Sequence, residues 1–394
     1  MAESIYILGG ARTPMGEYTG KLKDFSAIEL GAIAARAAME RTGVDVKDVD
    51  HVVFGNVMQT SSDAVYGARH VGLKAGVPID VPALTVNRLC GSGIQAAING
   101  GQLIRLGEAD IVLTGGMESM SQAPHVIRGL RNGLRLGQGQ LEDSLWSALL
   151  DTHCGCSMAV TAENCAAKYN VTREAQDAYA IRSQQLAERA WTEGRLAEEV
   201  VPVEIKSRKG VEVFARDDHM RPDSTIEGLA KLPPAFSKNG CVTAGNASGI
   251  VDGGAALLLA SEAGVKAHGL QPLAKLTHWA YVGVEPSLMG MGPAPATRKV
   301  LDKAGLTLKD IDLIEVNEAF AAQYLSVEKE LGLDRDRVNV NGGAIALGHP
   351  LGMTGTRLLL TLTMELRRRG AKRGLATACI GGGQGIAAII ETYQ

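Results

Sequence analysis

The sequence lacks both a long hydrophobic run and a marked excess of either charge. No apolar stretch approaches the roughly 18 residues that a membrane-spanning helix needs, so we expect no membrane span. The 394 residues include 40 Lys and Arg and 43 Asp and Glu, which gives a formal net charge of -3. This near balance argues against nucleic acid as the main partner, although an anionic ligand would need only local positive groups.

The sequence also lacks a regular cysteine framework and a recognisable presequence. Its six cysteines have no repeating spacing, and a chain of this length does not need disulfides for stability, so we predict free thiols. Residues 4–8 already have the pattern of a strand, which leaves no room for a cleavable presequence. We therefore expect a cytoplasmic protein, or a mitochondrial matrix protein if the source is eukaryotic.

Cys90 has the surroundings of a reactive thiol. It lies between an extended run, residues 82–87, and a helical pattern of small residues, 93–99. The free backbone N–H groups and the dipole of a helix start would stabilise a thiolate there, and Gly91 and Gly93 would let an acyl group approach. An isolated cysteine is more often a small buried hydrophobic residue, but the flanking glycines favour the nucleophile.

Two further motifs near the end of the chain fit the same chemistry. His349 precedes a proline in a glycine-rich stretch, residues 339–352, which predicts a shaped loop that aims the imidazole at a neighbour. Accepting the proton of Cys90 is its natural role. Cys379 precedes three glycines, residues 381–383, whose N–H groups would face an oxyanion. Together the three motifs predict covalent acyl transfer.

A metal site is the alternative for a second group of cysteines. His153, Cys154 and Cys156 lie together, with Cys165 farther along the chain. The two nearer thiols are separated by one residue, whereas zinc motifs usually separate them by about two to four. We interpret this stretch as a loop and predict no metal.

An internal repeat predicts the architecture. Residues 43–50 (Gly-Val-Asp-Val-Lys-Asp-Val-Asp) reappear as residues 305–312 (Gly-Leu-Thr-Leu-Lys-Asp-Ile-Asp), and each copy lies between a helical and a strand-like pattern. The chain therefore contains two related halves, which predicts an α/β protein with mixed sheets covered by helices.

The repeat also relates the candidate catalytic residues to one another. Cys90 and His349 fall at comparable places in their halves, as do Gly115 and Cys379, which follow similar strand-like runs. We therefore expect the functional residues to gather where the two halves meet.

The alternation of strands and helices is interrupted between about residues 119 and 249, which indicates an inserted domain. A chain of 394 residues is expected to form two or three domains in any case. We predict an N-terminal half at 1–118 with 250–270, an inserted loop domain at 119–249 and a C-terminal half at 271–394.

The chain resembles the thiolases, the family of acetyl-CoA acetyltransferases and 3-ketoacyl-CoA thiolases, over essentially its full length. Besides the three motifs above, the matching segments are residues 9–14 (Gly-Gly-Ala-Arg-Thr-Pro), 115–121 (Gly-Gly-Met-Glu-Ser-Met-Ser), 242–249 (Val-Thr-Ala-Gly-Asn-Ala-Ser-Gly) and 317–322 (Asn-Glu-Ala-Phe-Ala-Ala). The resemblance implies the thiolase fold, with its layers in the order α-β-α-β-α.

The resemblance also implies a role for each catalytic group. Cys90 would be the acylated nucleophile, His349 would activate it, and Cys379 would move the proton at the substrate's α carbon. Asn317 would hold a water that forms one oxyanion hole together with His349. The backbone N–H groups of Cys90 and Gly381 would form the other.

Coenzyme A would be a substrate, and no permanently bound cofactor is implied. By resemblance the inserted domain binds coenzyme A, with Arg221 near the adenine nucleotide and Ser248 beside the pantetheine. Met158, Phe236 and Met289 would line the acyl and pantetheine channel. Acyl-CoA and coenzyme A are thus the expected partners, and the family habit predicts a homodimer or homotetramer.

Three sequence features indicate the substrate preference: one difference from the biosynthetic thiolases and two similarities to the mitochondrial type. Ser157 stands where biosynthetic acetoacetyl-CoA thiolases tend to carry a histidine, and residues 141–146 and 324–328 look more like mitochondrial-type 3-ketoacyl-CoA thiolases. We therefore favour thiolysis of 3-ketoacyl-CoA. Condensation of two acetyl-CoA molecules is the close alternative, and a non-catalytic acyl-binding relative is the remote one. Cys379 argues against a decarboxylating ketoacyl synthase, which uses two histidines instead.

Overall fold

The computed structural model describes residues 3–137, 139–208 and 210–393. Its strands are β1 (Tyr6–Arg12), β2 (Gly16–Glu17), β3 (His51–Gly55), β4 (Ala83–Val86), β5 (Ile111–Glu118), β6 (His125–Val126), β7 (Glu142–Asp143), β8 (Leu150–Asp151), β9 (Cys156–Ser157), β10 (Val203–Ser207), β11 (Gly210–Phe214), β12 (Val251–Ala260), β13 (Ala274–Gly283), β14 (Leu313–Val316), β15 (Arg373–Ile380) and β16 (Gln384–Thr392).

The helices connect and cover these strands. They are α1 (Ala27–Thr42), α2 (Gly67–Ala75), α3 (Ser92–Leu106), α4 (Ser144–Ala148), α5 (Met158–Tyr169), α6 (Arg173–Thr192), α7 (Ile226–Ala230), α8 (Glu262–His268), α9 (Pro293–Ala304), α10 (Ala321–Leu331), α11 (Ala344–Leu347) and α12 (Leu351–Arg369). None of these helices has the length and apolar character required to cross a membrane, within the part of the chain that the structure describes.

The main sheet consists of two mixed halves joined edge to edge. Its strand order is β14-β15-β16-β13-β1-β12-β5-β3-β4, and β2 is added alongside β12. In the first half β3 runs parallel to β4 and β5; in the second, β14 runs parallel to β15. The halves meet where β1 and β13 pair through only two residue pairs. The predicted mixed sheets are confirmed.

Helices separate and cover the two halves in layers. A central core contains Ile94 of α3 and Leu358 of α12 together with Val53 from one half and Ala378 from the other. A second core packs α1 and α2 on the outer face of the first half, and a third packs α9 and α10 on the outer face of the second. The order is therefore α-β-α-β-α, as the resemblance implied.

The sequence repeat is a structural repeat. Gly43 and Gly305 end α1 and α9 in the left-handed conformation, with φ of 70° and 64°. A carboxylate then performs the same task in each half: Asp50 accepts the N–H groups at the start of β5, and Asp312 accepts those at the start of β15, all at 2.8 Å. The prediction of two related halves is confirmed.

The register of the repeat differs from the expected one at a single point. Counted from Ile111 and Arg373, the first residues of β5 and β15, Cys379 is the seventh residue and its counterpart is Met117. Gly115, which the sequence comparison matched with Cys379, lies two residues earlier. The error arose because both strands are short runs of similar small and apolar residues, whereas the aspartate hydrogen bonds fix the alignment.

The segment between the two strands β5 and β12 has a different character. It holds α4 to α7 and three small two-stranded sheets, β6 with β7, β8 with β9 and β10 with β11. Because β12 returns to the first half between β1 and β5, we keep the division into 1–118 with 250–270, 119–249 and 271–394 as a proposal.

Candidate active site

One apolar cavity collects most of the residues that the sequence singled out. Its volume is about 330 Å³. The predicted site residues on its wall are Cys90, Met158, Phe236, Ser248, Met289, His349 and Cys379. These residues are spread over the whole chain, so the fold brings them together.

Cys90 lies in a tight turn between β4 and α3. Leu89 has a φ of 46°, which is rare for a residue other than glycine. The turn is held because Leu89 N–H donates to Asn87 Oδ1 at 2.9 Å and the Ser92 hydroxyl donates to Leu89 O at 2.7 Å. Gly91, one residue after Cys90, is the N-cap of α3, so Cys90 lies next to the helix start but does not itself cap the helix as the sequence suggested.

The protonation state of Cys90 differs from the expectation. Burial raises the pKa of its thiol to about 11, although the backbone N–H groups of Gly381 and of Cys90 itself oppose that rise. The sequence predicted a thiolate near neutral pH from the helix start. That prediction is wrong for the unliganded site, because the removal of water from the sulfur outweighs the two N–H groups.

His349 is held as a neutral imidazole of one tautomer. Burial, assisted by the charge of Arg357, lowers its pKa to about 3. Its Nδ1 lies 2.6 Å from Thr354 Oγ1, and that hydroxyl donates its hydrogen to Pro350 O at 3.0 Å. Nδ1 must therefore carry the hydrogen, which leaves the lone pair on Nε2. His349 is poised to accept a proton at Nε2.

Asn317 faces the same imidazole. It follows β14 directly, its N–H donates to Thr377 O at 2.9 Å, and its Nδ2 lies 3.3 Å from His349 Nε2. Its Oδ1 is buried and has no hydrogen-bond partner among the residues described. An unsatisfied buried acceptor is costly, so this oxygen is suited to a bound water, as the resemblance implied.

Cys379 lies at the end of β15 and is almost fully buried, with 1% of its surface exposed. Burial and the nearby Cys90 sulfur raise its pKa well above the usual range. A Cβ added at Gly381 would lie 3.1 Å from Leu89 Cδ1 and 3.3 Å from Met158 Sδ. Gly381 therefore lies against the Cys90 turn, where its N–H reaches the Cys90 sulfur.

Arg221 lies outside the cavity. Its side chain is 59% exposed and its guanidinium folds back on its own loop, where Nη1 donates to the carbonyls of residues 218, 219 and 220 and Nη2 donates to Glu17. Its expected position beside the adenine nucleotide remains a prediction. Ser248, in contrast, lies on the cavity wall and its N–H donates to Ala319 O at 3.0 Å.

The sequence did not identify two residues that orient the site. Thr354 fixes the tautomer of His349, as described above. Glu118, at the end of β5, accepts hydrogen bonds from Asn56 Nδ2 and from the N–H groups of Val57, Met58 and Gly352, at 2.9 to 3.1 Å. An acidic residue ending an entirely buried strand was the available signal. Burial nevertheless raises its pKa to about 7.

The inserted segment supplies much of the apolar wall. Leu145 and Trp146 of α4, Leu149 after it, and Phe236 face the cavity. Ser157 also lies on the wall, and its hydroxyl caps α5 by accepting the Val160 N–H at 3.3 Å. No cluster of three or more His, Cys, Asp or Glu side chains in residues 3–137, 139–208 and 210–393 is arranged to hold a metal ion.

An enzyme that transfers acyl groups through a cysteine is the class of protein that this duplicated fold and this cavity define. The family model of the thiolase N-terminal domain matches residues 5–263, and that of the thiolase C-terminal domain matches residues 270–392. The chain belongs to the thiolase family, and the prediction of an acyltransferase is confirmed.

Individual relatives match over their full length. The human mitochondrial 3-ketoacyl-CoA thiolase is 53% identical over 393 residues, covering 100% of this chain and 99% of the relative. An acetyl-CoA acetyltransferase of Pseudomonas aeruginosa is 51% identical over 391 residues, covering 98% of each. The crystal structure of the human enzyme superposes with a TM-score of 0.98 over 99% of both chains, and its complex with CoA does so with 0.97 over 100% of both.

The tautomer of His349 gives a testable prediction. Replacing Thr354→Val removes the acceptor of the Nδ1 hydrogen while keeping the side-chain volume. We expect kcat to fall about 10- to 100-fold with KM little changed, by analogy with residues that orient metal-bound histidines. Steady-state thiolysis kinetics measure the change. Thr354→Ser, which keeps the hydroxyl, should restore most of kcat, and a valine variant with wild-type kcat would refute the assignment.

Proposed function

We propose that this protein is a 3-ketoacyl-CoA thiolase, which uses coenzyme A to cleave 3-ketoacyl-CoA into acetyl-CoA and a shortened acyl-CoA. The observation that carries the proposal is the meeting of Cys90, His349 and Cys379 on the wall of one apolar cavity. The names of the relatives support the same reaction.

In the first half-reaction, Cys90 Sγ attacks the 3-keto carbonyl and His349 Nε2 takes the thiol proton. Collapse of the tetrahedral intermediate breaks the bond between carbons 2 and 3, so that the acyl group stays on Cys90. The electron pair of that bond becomes the enolate of acetyl-CoA. Cys379 then protonates the α carbon, and acetyl-CoA leaves.

In the second half-reaction, Cys379, left as a thiolate, takes the proton of the coenzyme A thiol, and the coenzyme A sulfur attacks the acyl-cysteine. The Cys90 sulfur departs and recovers its proton from His349. Charge develops on the acyl carbonyl oxygen in both half-reactions and on the thioester oxygen of the enolate in the first. The N–H groups of Cys90 and Gly381 are proposed to stabilise the former, and His349 with a water held by Asn317 the latter. Each donor would contribute about 3 kcal/mol, by analogy with measured oxyanion-hole deletions.

Coenzyme A is proposed to enter as a substrate along the side of the cavity formed by the inserted segment. Ser248 would lie beside the pantetheine, and Met158, Phe236 and Met289 would line its channel. Arg221 would have to release its loop carbonyls to reach an adenine nucleotide, because its guanidinium is occupied by them. The crystal structure of the human relative in complex with CoA supports this substrate.

The choice of the degradative direction rests on the cavity wall. Leu145, Trp146, Leu149 and Phe236 give it a continuous apolar surface, which suits an acyl chain longer than acetyl. Ser157 is smaller than the histidine it replaces. Condensation of two acetyl-CoA molecules remains the second candidate, since a bacterial acetyl-CoA acetyltransferase is nearly as similar.

A chain-length series tests the substrate. We expect kcat/KM for coenzyme A-dependent cleavage to be at least as high for 3-ketoacyl-CoA of six to ten carbons, roughly, as for acetoacetyl-CoA, because added methylenes gain apolar burial of about 0.8 kcal/mol each. Loss of the 3-ketoacyl-CoA absorbance measures the rate. Activity confined to acetoacetyl-CoA would instead assign the acetoacetyl-CoA reaction.

The division of labour between the two thiols gives a second test. Cys90→Ala should abolish acylation, whereas Cys379→Ala should still form a slow acyl-enzyme but lose carbon–carbon cleavage by about 10²- to 10⁴-fold, the usual contribution of a general acid. Intact-protein mass after incubation with acetyl-CoA measures the acylation. Cys241→Ser, outside the cavity, is the matched control. Equal loss of both half-reactions in Cys379→Ala would contradict the roles.

We further propose that the protein forms a homodimer or homotetramer. We also propose that it is located in an interior compartment of the cell. The support for self-association is β4, the last strand of the main sheet, whose outer edge pairs with no other strand in the described part of the chain. Leu84 of β4 is exposed, as are Val65, Tyr66 and Ile79 in the segments before it. Sheet edges of this kind are normally covered. A second copy of the chain is the proposed cover.

Light scattering tests this state. We expect a mass two or four times the 41.4 kDa of one chain, and Leu84→Lys should shift it towards the monomer because a charge would be buried at the interface. Leu106→Lys, an exposed leucine at the end of α3, is the control. A wild-type monomer at micromolar concentration would refute the proposal.

A further inference from the structure

A second pair of thiols lies outside the catalytic cavity, at the tip of a small hairpin. Strands β8 and β9 form this hairpin, in which Leu150 pairs with Ser157 and Asp151 with Cys156. Cys154 lies in its turn and Cys156 is the first residue of β9, and the two flank Gly155, whose φ is 70°. The Gly155 N–H donates to Asp151 O at 2.8 Å, so the turn is closed by a backbone hydrogen bond.

Cys156 folds back towards Cys154 across this turn. Burial raises the pKa of the Cys154 thiol, and the neighbouring Cys156 thiol adds to that rise. Cys156 Sγ also lies 3.6 Å from Cys154 O, and Cys154 Sγ lies 4.0 Å from Asp151 O. The Cys156 sulfur therefore lies against the backbone of Cys154, and the left-handed glycine between the two residues lets the chain fold back tightly.

Partial exposure combined with a neighbouring thiol distinguishes this pair from the other cysteines outside the cavity. Cys154 and Cys156 are half-buried, and the residues before and between them, His153 and Gly155, are exposed. Cys165 has no exposed surface. Cys241 is singly placed and donates to Glu163 at 2.9 Å. A small disulfide in solution can thus reach the hairpin thiols while each has a second thiol beside it.

We propose that Cys154 and Cys156 form a reversible intramolecular disulfide by exchange with a low-molecular-weight disulfide. One of the two thiols, as thiolate, attacks a sulfur of the small disulfide, which forms a mixed disulfide and releases one small thiol. The neighbouring thiolate then attacks the protein sulfur of that mixed disulfide. The protein disulfide forms, a second small thiol leaves, and two protein thiols have been oxidised while one small disulfide has been reduced.

The location of the hairpin relates this chemistry to the cavity without using the catalytic thiols. Leu149 and Ser157, at the base of the hairpin, line the cavity, and Met158 N–H donates to Leu149 O at 2.9 Å. A disulfide at the tip would thus close a covalent ring one residue from the Ser157 wall. The proposal is independent of the identity of the acyl substrate.

Peptide mapping of the full chain tests the exchange. Cys90→Ala protein, in which the catalytic nucleophile is absent, is equilibrated with glutathione and glutathione disulfide at graded ratios. Free thiols are then alkylated under denaturing, acidic quenching conditions. We expect the peptide that contains Cys154 and Cys156 to lose both alkylation sites together and to become lighter by two hydrogen atoms, without a glutathione adduct. Excess reductant should restore both sites.

Single variants separate this reaction from ordinary surface oxidation. In Cys154→Ser or Cys156→Ser the remaining cysteine should accumulate as a mixed disulfide with glutathione, because no second thiol resolves it. Cys241→Ser should leave the hairpin disulfide unchanged. A stable glutathione adduct on the hairpin of Cys90→Ala protein would overturn the proposal. So would a hairpin that stays fully reduced at ratios that modify Cys241.

Discussion

The carboxylate of Glu118 ties the half of the molecule that carries Cys90 to the half that carries His349. Its oxygens receive hydrogen bonds from the loop after β3 and from Gly352 in the first turn of α12, the helix that follows His349. There is no room for a side chain at Gly116, next to this contact, because a Cβ there would lie 2.0 Å from Gly352 O. The backbones of β5 and α12 are therefore in direct contact. Because α12 begins two residues after His349, the position of this contact also determines the position of His349.

The electrostatics of the site follow from the same close packing. With water excluded, the pKa of Cys90 is about 11 and that of His349 about 3, so both groups are neutral over most of the pH scale. A neutral pair costs less to bury than an ion pair. In the proposed mechanism the thiolate of Cys90 therefore forms only as the substrate reacts, opposite the N–H groups, and is not present beforehand.

The sequence was sufficient for the parts of the fold and site that depend on local patterns. The repeat around Gly43 and Gly305 predicted two related halves, and the motifs around Cys90, His349 and Cys379 predicted a shared site, because glycine turns and strand-helix junctions have local signatures. The protonation of Cys90 was predicted wrongly, since it depends on how distant elements exclude water. The role of Glu118 was missed because its hydrogen bond to Gly352 joins residues 234 positions apart, and a local sequence pattern does not predict a contact over that distance.

Met117 and Cys379 occupy matched positions in the two halves of the fold but have different structural roles. Met117 is packed in the core that α1 and α2 form on the outer face of the first half, whereas Cys379 lies with Met289 and Ala319 beside the cavity. The positions of Met117 and Cys379 are equivalent in the backbone, but different residues surround them. A substitution at one of these positions therefore leaves the contacts of the other unchanged, so the two halves share a backbone while carrying different residues at matched positions.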